Sequence, residues 1–331
     1  MLRRDGNLQV YESQAEFDAS RPGWDAREAH GIEFRHMAPD EMAELQPGLS
    51  PRFTHGTFTP GWYSIADPKD YTLALADHVR ARGGAIEIAE IAARNLKKVT
   101  LELGGKSAAI VLEDADLASA LPMLVFAGLM NAGQGCVNQT RVLAPRSRYD
   151  EVVDGIVGMV SLMGVGLPDD PATQVGPLIT EKQRARVEGY IAKGIEEGAR
   201  LAYGGKRPEG LDGGYFVQPT IFADVDNSMT IAQEEIFGPV LVILPHDGDD
   251  DAVRLANDNP YGLSGAVWGT DPDRIERAVR GMRTGTLSVN GGQYFGQDMP
   301  FGGVKQSGIG REMGEAGFEE FLEYKSIGYA V

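Results

Sequence analysis

The sequence predicts an α/β protein that begins with a small α+β segment, and three observations carry that expectation. First, 331 residues are enough for roughly two domains and a sizeable core. Second, past residue 99 short apolar runs alternate with stretches at helical spacing, whereas residues 1–86 mix aromatic, Thr-rich strand-like segments with helix starts. Third, the only cysteine of the chain, Cys136, sits on a loop with glycines at 133 and 135, between an apolar run over 121–130 and an extended run over 141–144.

Composition narrows the function. Hydrophobic residues are 42% and charged residues 24%, ordinary for a globular protein. A net charge of −17 argues against nucleic acid, which needs clustered Lys and Arg. One cysteine allows no intrachain disulfide and fits a reducing compartment. The start lacks the apolar stretch of a signal peptide, and the run 121–130 is too short to span a bilayer. A cytoplasmic protein with no membrane contact is expected.

In chain order, 7–11 reads as a strand, and Ser13 with Glu16 forms a capping box that opens a short helix. A second short helix is expected over 39–45, and a strand over 57–65. Asp67 and Pro68 start a helix that Gly83 and Gly84 end. Residues 86–98 fit both strand and helix periods and mark a seam, so the domains are drawn as 1–86 and 87–331. The run 99–103 alternates as a strand that places Glu102 just before the turn Gly104-Gly105, and 107–112 is a buried strand. The next helix starts near Leu117. With Ser119 as its cap, Pro122 falls in the first turn; with Asp116 it lies deeper, at a cost of about 3 kcal/mol. Further helices are expected over 150–160 and 181–197 and from Ala252 towards Asn257, and strands over 238–244 and 324–331. Cys136 reads as a nucleophile, accessible and partly ionised, or else as an inert buried thiol.

Two resemblances follow from motifs. Gly31-Ile32-Glu33-Phe34-Arg35, Leu45-Gln46-Pro47-Gly48-Leu49, Asp67-Pro68 and Arg80-Ala81-Arg82-Gly83-Gly84 resemble an internal piece of the FAD-dependent D-amino-acid dehydrogenases and oxidases. The G-x-G-x-x-G flavin fingerprint is not in this stretch, so FAD is not expected. Leu101-Glu102-Leu103-Gly104-Gly105-Lys106 followed by Gly133-Gln134-Gly135-Cys136 resembles the aldehyde dehydrogenase superfamily. The segments Glu234-Glu235-Ile236-Phe237-Gly238-Pro239, Asn259-Pro260-Tyr261-Gly262-Leu263-Ser264 and the glycine-rich signature from Pro300 to Glu312 extend it over about 88–331.

That resemblance implies an NAD- or NADP-dependent oxidation of a small-molecule aldehyde through a cysteine thiohemiacetal and thioester. It implies Cys136 as nucleophile, its backbone N–H as oxyanion donor, and Glu102 as general base. Glu235 and Phe237 would meet the nicotinamide end, beside Leu103 and Gly104, and Gln183 and Arg186 would reach the adenosine end. Phe301 would wall the substrate tunnel, with Glu312 behind Glu102. A homo-oligomer joined through the C-terminal strand is implied, and no metal. Gly308-Ile309-Gly310 resembles a dinucleotide glycine loop, but no strand leads into it, and it is not read as a phosphate cradle.

The family's N-terminal half, with most of its Rossmann-like domain, an asparagine oxyanion donor and a ribose-side lysine, has no counterpart in this sequence. The chain therefore looks like a truncated catalytic half fused to an unrelated fragment, inactive or only weakly esterolytic. The alternatives are a flavin-dependent D-amino-acid dehydrogenase and a non-catalytic fusion product.

Overall fold

The structure is a computed structural model and describes residues 2–3, 7–29, 31–60, 64–65, 91–92, 94–292 and 296–329. It divides into two compact units, Met1–Leu96 and Lys97–Val331. The helix expected over 67–84 lies outside the described residues.

The first unit is built on a three-stranded antiparallel sheet in which β4 (His55–Thr59) lies between β2 (Asn7–Tyr11) and β3 (Arg35–Met37); β1 (Leu2–Arg3) pairs separately with β5 (Ser64–Ile65). The strand expected over 57–65 is thus two short strands. Helix α1 (Gln14–Ala29) is long rather than short and carries Pro22 inside. The Ser13 hydroxyl accepts from the Glu16 N–H at 3.2 Å, while the Glu16 carboxylate reaches the N–H of Glu12, one residue before the cap, at 2.9 Å. Helix α2 (Pro39–Leu45) begins at its proline, whose missing N–H costs nothing at a helix start. Trp24 is buried, and its Nε1 donates to the Tyr11 hydroxyl at 2.7 Å.

The second unit is a seven-stranded sheet with helices on both faces. Its strands are β7 (Ala108–Val111), β8 (Arg141–Pro145), β9 (Arg200–Tyr203), β10 (Thr220–Ala223), β11 (Val240–His246), β12 (Gly265–Trp268) and β13 (Ser288–Val289), in the order β13-β12-β7-β8-β11-β10-β9. Every neighbouring pair is parallel except β9 with β10. All four residues of β7 are buried, as a parallel strand covered on both faces requires. Ala109 and Val111 face α3 (Leu117–Leu129) and α4 (Tyr149–Val160). Ala108 and Ile110 belong to the opposite core, with α5 (Glu181–Glu196), α7 (Asp249–Asn257) and α8 (Pro272–Gly281). The short helices α6 (Thr230–Gln233) and α9 (Gly314–Glu319) also belong to this unit.

The cap left open between Asp116 and Ser119 is decided, and the expected C-terminal strand is corrected. Asp116, not Ser119, caps α3: its carboxylate accepts from the Ala118 N–H at 3.1 Å and from the Ser119 hydroxyl at 2.6 Å. Pro122 therefore lies in the second turn, and the buried face formed by Leu117, Leu121, Leu124 and Val125 offsets the lost hydrogen bond. Residues 324–329 form no strand: Tyr324, Ile327 and Tyr329 are exposed, because the alternating run has no ladder partner among the described residues of its own chain. Gly308–Ile309 is itself a short strand, β14, antiparallel to β6 (Leu101–Glu102).

Candidate active site

Three chain segments converge on Cys136. The first is β6 with the turn that follows it. Pairing with β14 fixes Glu102 opposite Gly308, and the Ser307 hydroxyl, fully buried, donates to the Gly104 carbonyl at 2.7 Å while accepting from the Gly262 N–H at 2.9 Å. Leu103 is partly exposed and donates its N–H to the Ser307 carbonyl at 3.0 Å.

The second segment is the cysteine loop. Helix α3 is followed by a tight turn over Met130–Gly133 in left-handed backbone, where Asn131 and Ala132 adopt φ of 54° and 53° and Gly133 a φ of 72°. The Asn138 amide donates to the Met130 carbonyl at 2.9 Å, tying the far side of the loop to the helix end. The Gln134 side chain accepts from the Ile179 N–H at 2.9 Å, and the Ser264 hydroxyl donates to the Val137 carbonyl at 2.8 Å.

The third segment is 234–239. Glu235 Oε1 accepts from the Gly105 N–H at 3.0 Å, which joins it to the first segment. The Gln183 amide donates to the carbonyls of Ile236 and Phe237 at 3.1 and 2.7 Å, and Arg186 donates to the carbonyl of Glu235 at 2.6 Å. Gln183 and Arg186 thus hold the segment that carries Glu235 and Phe237, with Phe237 kept at a φ of 58°.

Glycines make the convergence possible. A Cβ on Gly105 would come within 2.7 Å of the Cys136 carbonyl oxygen, and one on Gly133 would collide with the Gly238 carbonyl. A Cβ on Gly104 would collide with the Glu235 carboxylate.

Cys136 is partly buried. Burial pushes its thiol up to about 12, and the Glu102 carboxylate beside it adds to the rise; the backbone N–H groups of Val137 and Cys136 pull weakly the other way. The expectation of a partly ionised thiol is corrected, because the carboxylate disfavours a second negative charge next to it. The same neighbours put the Glu102 carboxylate and the Cys136 thiol together, with the Val137 N–H beside the sulfur, a contact that sequence reasoning missed. Glu102 Oε1 is buried and has no hydrogen-bond partner among the described residues. Burial also raises Glu235, first among its causes, against the pull of the Gly105 N–H.

Phe301 is buried and bridges to Glu312 through paired backbone bonds of 2.7 and 2.6 Å. Both line one narrow crevice with Glu102. On the side of Val137 an apolar groove of about 280 Å³ runs between Met123, Phe126, Met130 and Trp268.

A mostly parallel sheet, a lone thiol on a glycine-bounded loop and a carboxylate beside it make this unit an α/β protein with a thiol and a carboxylate at one place. Residues 82–327 match the family model described as aldehyde dehydrogenase family, and the chain belongs to that family. Residues 1–120 match a second model, FAD dependent oxidoreductase, so the two matches overlap over 82–120. Geranial dehydrogenase of Castellaniella defragrans is 54% identical over 241 residues, covering 72% of this chain and 50% of that protein. A crystal structure of Mycobacterium tuberculosis aldehyde dehydrogenase complexed with NAD+ superposes with a TM-score of 0.71 at 62% identity, over 74% of this chain and 51% of that one. A variant of aldehyde dehydrogenase C from Pseudomonas syringae, in complex with NAD+ and octanal, gives 0.70 at 44% identity, over 72% and 49%. The chain spans about half the length of the relatives it matches. Among the described residues no helix is long and apolar enough to cross a membrane, and no cluster of side chains is suited to hold a metal ion.

Proposed function

We propose that this chain carries the thiol chemistry of an aldehyde dehydrogenase, with Cys136 as nucleophile and Glu102 as general base. The observation that supports it most is the convergence itself: Gly105 links the Glu102 strand to Glu235 by its N–H and packs against the Cys136 carbonyl. When a carbonyl carbon arrives, the Cys136 sulfur bonds to it and the S–H proton passes to Glu102. The developing oxyanion meets the N–H groups of Cys136 and Val137. At the thioester stage Glu102, its first proton released to solvent, takes a proton from water, the water oxygen bonds to the acyl carbon, and the C–S bond breaks to release the acid while Glu102 returns that proton to the Cys136 sulfur. Phe301 and Glu312, on the crevice beside Glu102, limit the water that reaches it.

A nicotinamide dinucleotide, NAD or NADP, when bound, accepts the hydride that makes the reaction an oxidation. The residues of its nicotinamide side fit: Glu235 keeps Oε2 without a hydrogen bond among the described residues, next to a Gly104 that has no side chain to block it. Leu103 precedes Gly104 in the chain, and Phe237 follows Glu235 by two residues. Gln183 and Arg186 act chiefly by holding the 235–237 backbone. The apolar groove beside Val137 suits an aldehyde with an apolar carbon chain, in keeping with the geranial and octanal named for two relatives.

Half of the relatives' length lies outside the match, and the family resemblance implies that an asparagine oxyanion donor and most of a dinucleotide cradle lie there. Loss of one such donor costs about 100- to 1000-fold in rate. The expected outcome for the purified chain is no NADH or NADPH formed at 340 nm with an aldehyde, and a slow p-nitrophenyl ester hydrolysis that Cys136→Ser removes. Reduction of NAD or NADP that depends on Cys136 would show that the unmatched half is dispensable. Ester hydrolysis unchanged in Cys136→Ser would overturn the assignment.

The unit 1–86 is proposed to add no redox chemistry, since it lacks the flavin fingerprint; a purified protein with no absorbance near 450 nm supports this, and stoichiometric flavin refutes it. The exposed Tyr324, Ile327 and Tyr329 are proposed to pair with a second copy of the chain in a cytoplasmic homo-oligomer. Size-exclusion chromatography checks the association, and a clean monomer that binds no ANS counts against it.

A further inference from the structure

The thiol chemistry leaves the segment 259–264 without a role, yet that segment holds both chain stretches that carry the reacting groups. On the base side, the Gly262 N–H donates to the Ser307 hydroxyl at 2.9 Å, and that hydroxyl donates to the Gly104 carbonyl at 2.7 Å, two residues past Glu102. On the nucleophile side, the Ser264 hydroxyl donates to the Val137 carbonyl at 2.8 Å, one residue past Cys136. Between these two bonds Leu263 backs Gly105: a Cβ added there would lie 3.3 Å from the Leu263 Cβ and 2.7 Å from the Cys136 carbonyl oxygen. Ser307 is 0% and Ser264 3% exposed, so solvent does not stand in for either hydroxyl.

The segment is itself anchored from behind. The Gly262 carbonyl accepts from the N–H groups of Val304 and Gly285 at 2.9 and 3.1 Å, and the Leu263 carbonyl accepts from the N–H and the hydroxyl of Thr286 at 3.0 and 3.1 Å. The reacting base has less support of its own. Strand β6 is two residues long and pairs with the two of β14, apart from the seven-stranded sheet. Glu102 Oε1 is buried without a hydrogen bond among the described residues. The place of the carboxylate relative to the sulfur is therefore set through the backbone, and on both sides that backbone is tied to 262–264. Buried, satisfied networks rigidify what they join, and a misplacement of about 1 Å in reacting groups costs about 100-fold in rate.

We propose that residues 262–264 form a gauge that sets the distance between the Glu102 carboxylate and the Cys136 sulfur, with Ser307 and Ser264 as its two positioning residues. The gauge serves the reaction only if Cys136 is the nucleophile and Glu102 the base, so it rests on that reading.

Of the charged groups, Glu102 is the one that raises the thiol, so the pH profile of iodoacetamide labelling at Cys136 reports the spacing without any turnover. Ser307→Ala frees the Gly104 turn, and Ser264→Ala frees the Val137 carbonyl. A carboxylate held less closely disfavours the thiolate less. Each variant is expected to move the profile to lower pH, in the direction of Glu102→Gln but less far, with labelling at least about threefold faster below the midpoint. In the Glu102→Gln background neither variant should move the profile further, because the group that senses the spacing is gone. Residues that served folding alone would lower the urea midpoint and leave the profile in place, or shift it equally in both backgrounds, and either result overturns the gauge. If Ser307→Ala does not fold, Ser264→Ala decides by the same two profiles. Failure of the catalytic reading shows elsewhere, as ester hydrolysis that survives Cys136→Ser, so the two failures are told apart.

Discussion

Gly56 in the N-terminal unit and Gly133 in the catalytic unit both stand where a side chain has no room, but different atoms occupy the room. Above Gly56 lies the thioether of Met42, the end of a flexible side chain. Above Gly133 lies the carbonyl of Gly238, fixed backbone, and Gly133 also needs a φ of 72°. The first glycine serves packing between a strand and α2. The second lets two loops touch so that a thiol, a carboxylate and the Glu235 segment share one place. Buried aromatic and sulfur side chains stabilise the first unit; backbone contacts at glycines shape the second.

The sharpest break in this comparison is chemical. Cys136→Ser should lose all thiol-dependent ester hydrolysis, measured as p-nitrophenolate release, while Trp24→Phe in the other unit leaves the rate unchanged. Glu102→Gln comes next. Removing the carboxylate should slow deacylation by about 10²- to 10⁴-fold, more than it slows acylation, and so leave a burst. It also removes the charge that adds to the rise of the thiol towards about 12, so the pH profile of iodoacetamide labelling should shift to lower pH in Glu102→Gln. A labelling profile identical to the parent's would separate the two groups.

The two glycines can be compared directly. Gly133→Ala must force a left-handed alanine against a carbonyl, at a cost of about 3 kcal/mol or more, read as a lower urea midpoint with loss of thiol reactivity. Gly56→Ala should cost under about 1 kcal/mol, because the Met42 side chain can swing aside. Equal costs would mean that the loop around Gly133 yields more than its backbone contacts allow.

Much of this was legible in the chain. The buried strand at 108–111, α2, the helices near 150 and 181, the loop of Cys136 and the strand of Glu102 all follow from local period and turn residues. What escaped depends on partners far along the sequence. Ser307 pins a turn about 200 residues away, and Arg141 lies at the edge of an apolar run yet is wholly buried because Asn227 and the end of α7 receive it. The C-terminal run reads as a strand and forms none over its described residues 324–329, since pattern describes a face but does not supply a neighbour. The thiol's protonation was misjudged because loop glycines suggest openness, whereas burial and a carboxylate set the charge.

The smallest effect tests how the first unit is held without a site. Trp24 is 1% exposed, and its indole N–H donates to the Tyr11 hydroxyl at 2.7 Å, linking α1 to β2. Arg27 lies over the indole ring, with its guanidinium carbon 4.6 Å from the centroid. Trp24→Phe keeps an aromatic ring but removes the donor and part of the volume, and it leaves the Tyr11 hydroxyl without its indole donor. The expected loss is about 1–2 kcal/mol, from the broken buried hydrogen bond and a partial cavity. Tyr11→Phe removes the acceptor instead and leaves the indole N–H unpaired, so it should cost a similar amount, and the double variant less than the sum of the two. If the two singles add, the contact contributes nothing measurable, and the first unit stands on apolar packing alone.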